Sequence, residues 1–481
     1  MPTNLDANIL IKRTRHIYGI SGALKLLMLA TLATPIFFSG CGFQQYAAKP
    51  IDPLTTIAKF EQKDPTSEQF HQYLLSNGYT ADRLPIQQWG VDELTYCALF
   101  FHPSLDVARA QWRAAELAEL TAAEKSVPTL SSNIARSDDP DPSKKPFAFG
   151  LSVDIPIETA SKRDIRIENA KHLSQVAKLE MAQTTWQLRS NIALSLTEYQ
   201  FNQQQIQLLI AEEIRRQEIV AIYQKRVSLG IASNVELSAA KLQLQSTTSS
   251  LNTKKQDSTL LLSKLASNAG LPLSKIKQMA LVTGAKQPQT ETINVQSVAL
   301  LNRLDIRIAL ERYAVAEAKL KLEIAKQYPD IVISPGYAFE FGDNVWSLGL
   351  SGLMTLLNKN KIGIAEATQL RKVEAAQFEN LQAKVVAETN MANAELMRAK
   401  QALIDQQKLL AEQQAYTVRM THKFTAGEID RLELAFVKLE NIAAEKNVVE
   451  ADFQLKLAFN QLENTLQKPL TETGLENGGE K

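Results

Sequence analysis

The chain is short of several things, and each shortage removes a class of structure. Only two of its 481 residues are cysteine, Cys41 and Cys97, too few for a disulfide framework. Acid and base nearly cancel, with a formal net charge of +1, and the two signs are interleaved. No basic field argues for nucleic acid, and no acidic tail for a basic partner. Beyond residue 41 no apolar run is long enough for a transmembrane helix. If the mature chain crosses a membrane, it must do so with β-strands. Catalytic signatures are missing as well: there is no Gly-rich phosphate loop, no His-Glu-x-x-His and no cysteine pair, and Gly349-Leu350-Ser351-Gly352 lacks the nucleophile-elbow spacing. His16, His71, His102, His172 and His422 are scattered. The reading is of a non-enzyme that holds no cofactor and no metal.

The most telling shortage is of helix breakers. Between Ile364 and Gln467 there is no proline and one glycine, Gly427; between Ser161 and Ala269 there is no proline and one glycine, Gly230. Apolar residues recur at helical spacing on both sides of Gly427 (Leu370, Val373, Phe378, Leu381, Val385 before; Leu432, Leu439, Ile442, Val449, Phe453 after), which predicts two helices hinged there. At 1.5 Å per residue the first arm is about 100 Å long and the second about 55 Å, far beyond one globular core. The long segments are rich in Ala, Leu, Gln, Glu and Lys, the composition of long helices and coiled coils. Leu237, Leu244 and Leu251 lie seven apart, with Ala240 between the first two, as in a coiled-coil seam.

At the start, Lys12, Arg13, Arg15 and Lys25 precede an apolar run from Leu26 to Phe38, followed by Ser39-Gly40-Cys41. A run of about 13 residues suits the h-region of a secretory signal better than a bilayer span. Residues 1–40 therefore read as a cleaved signal peptide. Small residues directly before Cys41 resemble a bacterial lipobox, in which the cysteine is acylated (palmitate) and becomes the new N-terminus. Phe38 stands where leucine is usual, and Gly42, rather than Asp, suits transport to the outer membrane. The alternative is an ordinary signal peptide whose cleavage lies near a cysteine.

Residues 41–103 read as a lead-in, irregular to Pro85 with one short helix near Glu68 to Leu75, then a helix from Val91 to His102 with Asp92 placed to cap it. Cys97 reads as a small buried residue. Ser104 to Ser126 is predicted helical, ended by Pro128. Thr129 to Arg136 and Phe147 to Ile155 alternate like strands, around a polar, proline-rich exposed loop. The long helix 161–229, the turn Gly230-Ile231-Ala232-Ser233 and the return helix 234–269 complete a unit, 104–272.

Residues 273–302 are a connector, with a short helix expected over Leu273 to Ala280. Then the unit repeats. Ser104-Leu105-Asp106-Val107-Ala108-Arg109-Ala110 is echoed by Arg303-Leu304-Asp305-Ile306-Arg307-Ile308-Ala309, Lys125-Ser126-Val127-Pro128 by Lys326-Gln327-Tyr328-Pro329, and Phe149-Gly150-Leu151-Ser152 by Leu348-Gly349-Leu350-Ser351. Gly230 with Glu236-Leu237 matches Gly427 with Glu433-Leu434, and the offset stays between 197 and 201 residues. The second unit, 303–469, has strands Ile331 to Phe341 and Val345 to Leu353 joined by a tight Gly342-Asp343-Asn344 turn, then helices 361–426 and 430–467. Residues 470–481 read as a disordered tail.

A unit of helix, β-hairpin, very long helix, glycine turn and helix, present twice behind a lipobox, resembles the outer-membrane efflux protein family, the TolC-like ducts, in its lipoprotein branch. Tyr328-Pro329 before the strand and the glycine turns at the helix tips are individual echoes of the family pattern. Pro156 keeps the family's strand-to-helix proline in the first unit, Thr355 replaces it in the second, and Leu304 stands near where the family often has proline. The resemblance implies a mainly α fold with transmembrane β: a homotrimer in which each chain gives four strands to one 12-stranded β-barrel and its helices to a coiled-coil periplasmic barrel. It further implies a Gram-negative outer membrane, a lipid anchor on Cys41, and partnership with a periplasmic adaptor (membrane fusion) protein and an inner-membrane transporter. Bottom-up reasoning reaches part of this alone. Four strands cannot close a barrel, so several chains must contribute, and closure removes the edges that lipid would not tolerate.

In the resemblance the tips dock the adaptor, which singles out Leu229, Gly230 and Ile231 in one turn and Ala426, Gly427 and Glu428 in the other. Six residues after each glycine the family's best-known member has an acidic residue that narrows the closed aperture; here these are Glu236 and Glu433, with plain exposed helix glutamates as the alternative. Phe436 replaces a second acidic position. Gln203, Gln204, Gln205, Gln207, Gln406, Gln407, Gln413 and Gln414 supply a wet lumen as a set, though any one of them could face bulk water instead. Met181, Met391 and Met397 read as packing residues rather than soft-metal ligands, despite Met420 and His422 near a tip. The implied function is a passive outer-membrane conduit of a tripartite efflux system for small molecules or drugs. The alternatives are the exit duct of type I protein secretion and a lipid-anchored periplasmic coiled-coil scaffold without a pore, for which the paired hairpins have no use.

Overall fold

The computed structural model describes residues 44–138, 141, 143, 145–282, 295–352 and 359–470. Cys41, the signal segment 1–40, Thr355 and all but the first residue of the tail 470–481 lie outside the described residues. The chain divides into two units, residues 1–58 and 59–481. In the first, Asp52 accepts from the backbone N–H groups of Leu54 and Thr55, both at 3.2 Å, and so opens a helix, α1 (Pro53–Glu61).

The second unit begins with α2 (Glu68–Ser76), a 3₁₀ turn (Ala81–Arg83), α3 (Val91–Phe101) and α4 (Pro103–Ala123), then β1 (Thr129–Arg136) and β2 (Phe147–Ile157). Next come α5 (Lys162–Ser228), α6 (Asn234–Ala269), α7 (Leu273–Ile276), α8 (Val295–Asn302) and α9 (Leu304–Ala325). The chain continues through β3 (Ile331–Glu340), β4 (Asp343–Ser351), α10 (Lys361–Thr425) and α11 (Arg431–Leu466). The lead-in is thus more helical than its mixed composition predicts: α2 is the expected helix, with Phe70 and Leu74 wholly buried, and α1 is added to it by the cap at Asp52. Asp92 is not the cap of α3. That N-cap is Gly90, whose N–H donates to the Glu93 carboxylate at 3.0 Å, while Asp92 lies 3.9 Å from Arg189. Helix α4 stops three residues short of Ser126, where Arg163 donates to the freed Ala123 carbonyl at 2.8 Å. The connector helix is likewise shorter than expected, ending at Ile276.

The four strands form one antiparallel sheet in the order β1-β2-β3-β4. Helices α4, α5, α9 and α10 pack side by side in the corresponding order. Further along, α5 pairs with α6 and α10 with α11, and α5 also packs on α11. The seam of α6 packs as its seven-residue spacing predicts: Leu251 is buried with Ile206 and Leu209, and Ala240 beside Ile219. The largest core gathers Phe70, Leu74, Leu94, Leu105, Ile192, Leu265 and Leu271 around Cys97, which is fully buried. Burial pushes that thiol well above its ordinary pKa.

Strand limits shift for identifiable reasons. β2 continues through Pro156 to Ile157, because β1 pairs no further than Asp154 and the missing proline N–H faces no neighbour there. The second hairpin turns on Phe341 and Gly342, at φ 49° and 125°, so Asp343 and Asn344 belong to β4 rather than to the turn. β4 runs to Ser351, and the expected end Leu353 lies outside the described residues; at Gly352, φ 122°, a Cβ would sit 2.0 Å from the Asp330 carbonyl oxygen, so the position takes only glycine.

Each repeat closes on itself. At the end of α6, Gly270 (φ 69°) packs so closely on His102 that a Cβ would meet the His102 Cα at 2.7 Å. At the end of α11, Gln467 (φ 49°) accepts from the Leu304 N–H at 2.6 Å. Gly230 also has a positive φ, 74°, but open space around it. Gly230→Ala should therefore cost only the left-handed backbone term, about 1–2 kcal/mol. Gly270→Ala adds a backbone clash and should lower the melting temperature several-fold more, as thermal unfolding of the two variants would show.

Candidate functional site

Two regions carry the functional geometry: the faces of the sheet and the tips of the long helices. Strand register sorts the side chains into two faces, since neighbours opposite one another point the same way. Ile134 pairs with Phe149 and Phe149 with Phe339; Leu151 pairs with Tyr337 and Tyr337 with Trp346. Following these pairs across the sheet places Leu130, Ile134, Phe147, Phe149, Leu151, Val153, Ile155, Ile331, Ile333, Tyr337, Phe339, Trp346, Leu348 and Leu350 on one face. Ring contacts agree: Phe149 stacks on Phe339 at 5.8 Å and Tyr337 meets Trp346 at 4.9 Å.

The opposite face carries Ser131, Asn133, Ala148, Gly150, Ser152, Asp154, Ser334, Gly336, Ala338, Ser347, Gly349 and Ser351, with Val332 and Val345 as its larger members. Asp154 there accepts from Ser334 Oγ at 2.5 Å, beside the break in the β2–β3 ladder at Ser334 and Pro335. The apolar face is open: Ile134 is 83%, Trp346 81% and Leu348 70% exposed. Both edge strands, β1 and β4, are exposed along their full length. A water-soluble sheet hides its apolar face, so this one is built for another medium.

At the tips the glycine turns are Schellman ends. Ile231 N–H reaches the Arg226 carbonyl at 2.9 Å, and Glu428 N–H reaches that of Lys423 at 2.9 Å, around Gly230 and Gly427 at φ 74° and 79°. Leu229, Gly230, Ile231, Ala426, Gly427 and Glu428 are all exposed, and Leu229 and Ile231 present apolar surface. The next helix starts with Ser233 in one tip and Asp430 in the other, the same offset of 197 residues apart as the glycines.

The two candidate carboxylates differ. Glu236 closes a capping box, accepting from Ser233 N–H and Oγ at 2.7 and 2.9 Å, and these bonds hold its carboxyl below the usual range. Glu433 is exposed, and its own N–H donates to Asp430 at 2.9 Å.

What spacing did not disclose is that the tips are tied together. Arg226 donates to Asp430 at 2.7 Å and Arg431 to Glu218 at 2.9 Å, bridging α5 to α11. The available clue was that Asp430 stands in the repeat where Ser233 stands, a cap that carries a negative charge where the other is neutral. The glutamines divide too: Gln203 donates to Ser258 at 2.8 Å, inside the α5–α6 pair, whereas Gln207, Gln407 and Gln414 are exposed. Met391 and Met397, expected to pack, are 72% and 62% exposed, while Met420 is buried. Among the described residues no helix is long and apolar enough to cross a membrane, and no group of His, Cys, Asp and Glu could hold a metal.

Residues 95–270, the first repeat with the end of α3, match the profile of the family described as outer membrane efflux protein. The first repeat is thus similar to that family in sequence. The cobalt-zinc-cadmium resistance protein CzcC of Cupriavidus metallidurans is 23% identical over 295 residues, 59% of this chain and 68% of that one. Among solved structures, the outer-membrane channel OprN superposes with a TM-score of 0.66 at 17% identity, over 79% of this chain and 90% of that one. The outer membrane protein VceC of Vibrio cholerae gives 0.65 at 16%, over 79% and 97%. The efflux-protein fold is therefore shared well beyond the matched repeat.

Asp430 separates two jobs that substitution can distinguish. Bonds from the Glu433 N–H, then from Arg226, hold its carboxyl below the ordinary value. A lowered folded pKa means the contribution is complete above the unfolded value of about 4 and is lost as pH falls below it. Asp430→Asn keeps the cap and loses the charge; Asp430→Ala loses both. Hydrogen exchange at the Leu432 and Glu433 amides should rise about fivefold in Asp430→Ala, the equivalent of one lost cap, and little in Asp430→Asn. The Arg226–Asp430 coupling in a double-mutant cycle should be about 0.5–1 kcal/mol, as for an exposed pair.

Proposed function

We propose that this chain is the outer-membrane channel of a tripartite efflux system, a passive duct assembled from three copies. The observation that carries the reading is the sided sheet: one open apolar face, one face of small and polar residues, and two unpaired edges. In lipid an unpaired strand edge costs several kcal/mol per orphaned group. Pairing β4 of one copy with β1 of the next removes every edge and closes twelve strands into a barrel. The apolar face then meets lipid, and the Ser, Gly, Ala and Asp154 face lines water. The helix row α4, α5, α9, α10 follows the strand order, so the same closure continues into a helical tunnel through the periplasm, where arms of about 100 Å reach far beyond a bilayer of about 30 Å.

Cys41, outside the described residues, is the proposed acylation site and anchors the chain to the outer membrane. The tip residues Leu229, Gly230, Ile231, Ala426, Gly427 and Glu428 are the proposed contact for a periplasmic adaptor, which links the duct to an inner-membrane transporter. Of the two aperture carboxylates, Glu433 is the better placed to act on passing ions, because the carboxylate of Glu236 is engaged in its own capping box. The duct itself performs no chemistry.

Conductance in planar bilayers, together with heat-modifiable migration as a trimer, tests the assignment; absence of both favours a pore-less scaffold. Sensitivity of a deletion strain to antibiotics, detergents and divalent metals reads the cargo. Sidedness gives a sharper check. Leu348→Arg, in mid-strand on the apolar face, should cost about 2–4 kcal/mol in each subunit and block insertion. Ser131→Arg, on the opposite face, should leave trimer and conductance in place while changing ion selectivity. Equal tolerance of both substitutions would overturn the wall assignment.

A further inference from the structure

The apolar face of the sheet is graded along its height. Toward the hairpin turns, away from the helices, it carries the rings Phe147, Phe149, Tyr337, Phe339 and Trp346; toward the helices it carries Leu130, Val153, Ile155, Ile331, Ile333 and Leu350. Two cations share the ringed end. Arg136 lies on this face opposite Phe147, with its guanidinium carbon 5.8 Å from that ring's centre. Lys145, two residues before Phe147 in the same alternation, holds its Nζ 5.3 Å from the centre of Phe339. Among the described acids of this end, Glu340 and Asp343 stand opposite each other on the other face, and Asp141, in the loop between β1 and β2, accepts from the Ser143 N–H and Oγ at 2.9 and 2.7 Å. Asp138, 96% exposed, lies 3.9 Å from Arg136, a separation and exposure at which ion pairs contribute little.

We propose that this end of the apolar face is a binding surface for the phosphorylated sugar headgroup of lipopolysaccharide. The inference rests on the sheet being a barrel wall. A ring at the membrane interface sits at headgroup depth. A cation over it keeps its charge while its stem lies along apolar surface. That arrangement fits an anion carrying acyl chains rather than a soluble anion. The hairpin end is the one farthest from the periplasmic helices, so the leaflet it meets is the outer one. Each subunit offers both cations, Arg136 at the end of β1 and Lys145 just before β2.

The test compares the full-length trimer with an Arg136→Gln, Lys145→Gln double variant, measuring heat dissociation in phosphatidylethanolamine vesicles without and with added lipopolysaccharide. Wild type should gain dissociation temperature from lipopolysaccharide. The double variant should lose most of that gain, with affinity falling roughly fivefold per cation removed, while its conductance and its baseline dissociation temperature are unchanged. A conducting wild-type trimer with no gain, a gain retained in the double variant, or an equal gain from phosphatidylglycerol would each overturn the proposal and leave the channel assignment standing. Failure of wild type to form a conducting trimer would overturn both.

Discussion

Backbone hydrogen bonding in a medium without water is the constraint from which the rest of this molecule follows. A strand in hydrocarbon must have both edges paired, and one chain supplies four strands with two edges over. Copies must therefore meet edge to edge, and the helices that continue from those strands must meet in the same order. The protein meets this demand by repeating a unit, and the repetition is visible at every scale. Both hairpins, both long arms and both glycine tips occur at nearly one offset, and the strand order of the sheet is also the packing order of the helices beneath it.

The change from strand to helix is where the two halves are most tightly tied. Each long helix is entered through two successive non-glycine residues in left-handed conformation, Ala160-Ser161 and Lys359-Asn360, at φ between 43° and 54°. Such residues are strained, and the surrounding contacts hold them. Thr159 N–H and Lys162 Nζ both donate to the Asp330 carboxylate, at 3.0 and 2.8 Å. Lys162 also reaches the Tyr328 carbonyl at 2.6 Å, and Asn360 donates to the Glu323 carbonyl at 2.9 Å. Burial works against ionisation of Asp330, but these donors prevail and keep its carboxyl below the ordinary value. The first repeat's bend is thus held by the residues that lead into the second repeat's first strand.

Much of this is legible in the amino-acid sequence. The scarcity of glycine and proline announced the long helices, and the echo of Lys125-Ser126-Val127-Pro128 in Lys326-Gln327-Tyr328-Pro329 announced the duplication. Other features were hidden for physical reasons. A cap can be supplied by a backbone group plus a later glutamate, as at Gly90 and Glu93, so Asp92 drew the assignment that belonged to its neighbours. Phe341 adopts a conformation normally left to Gly or Asn, so the turn begins one residue, and β4 two residues, before the expected positions. The ties Arg226 to Asp430 and Arg431 to Glu218 join residues more than 200 positions apart, and no local pattern reports them. The alternation that sorts the sheet's faces was in the sequence, but only the register between strands shows that four separate alternations coincide.

The meeting of Gly270 with His102, and of Gln467 with Leu304, has an evolutionary corollary. A segment whose first and last residues lie side by side closes as a unit of its own, so a tandem copy needs only a connector to join it. The chain's descent from a half-length ancestor would thus have required little more than the stretch from 271 to 302. That ancestor, with two strands instead of four, would have needed twice as many subunits to encircle the same opening.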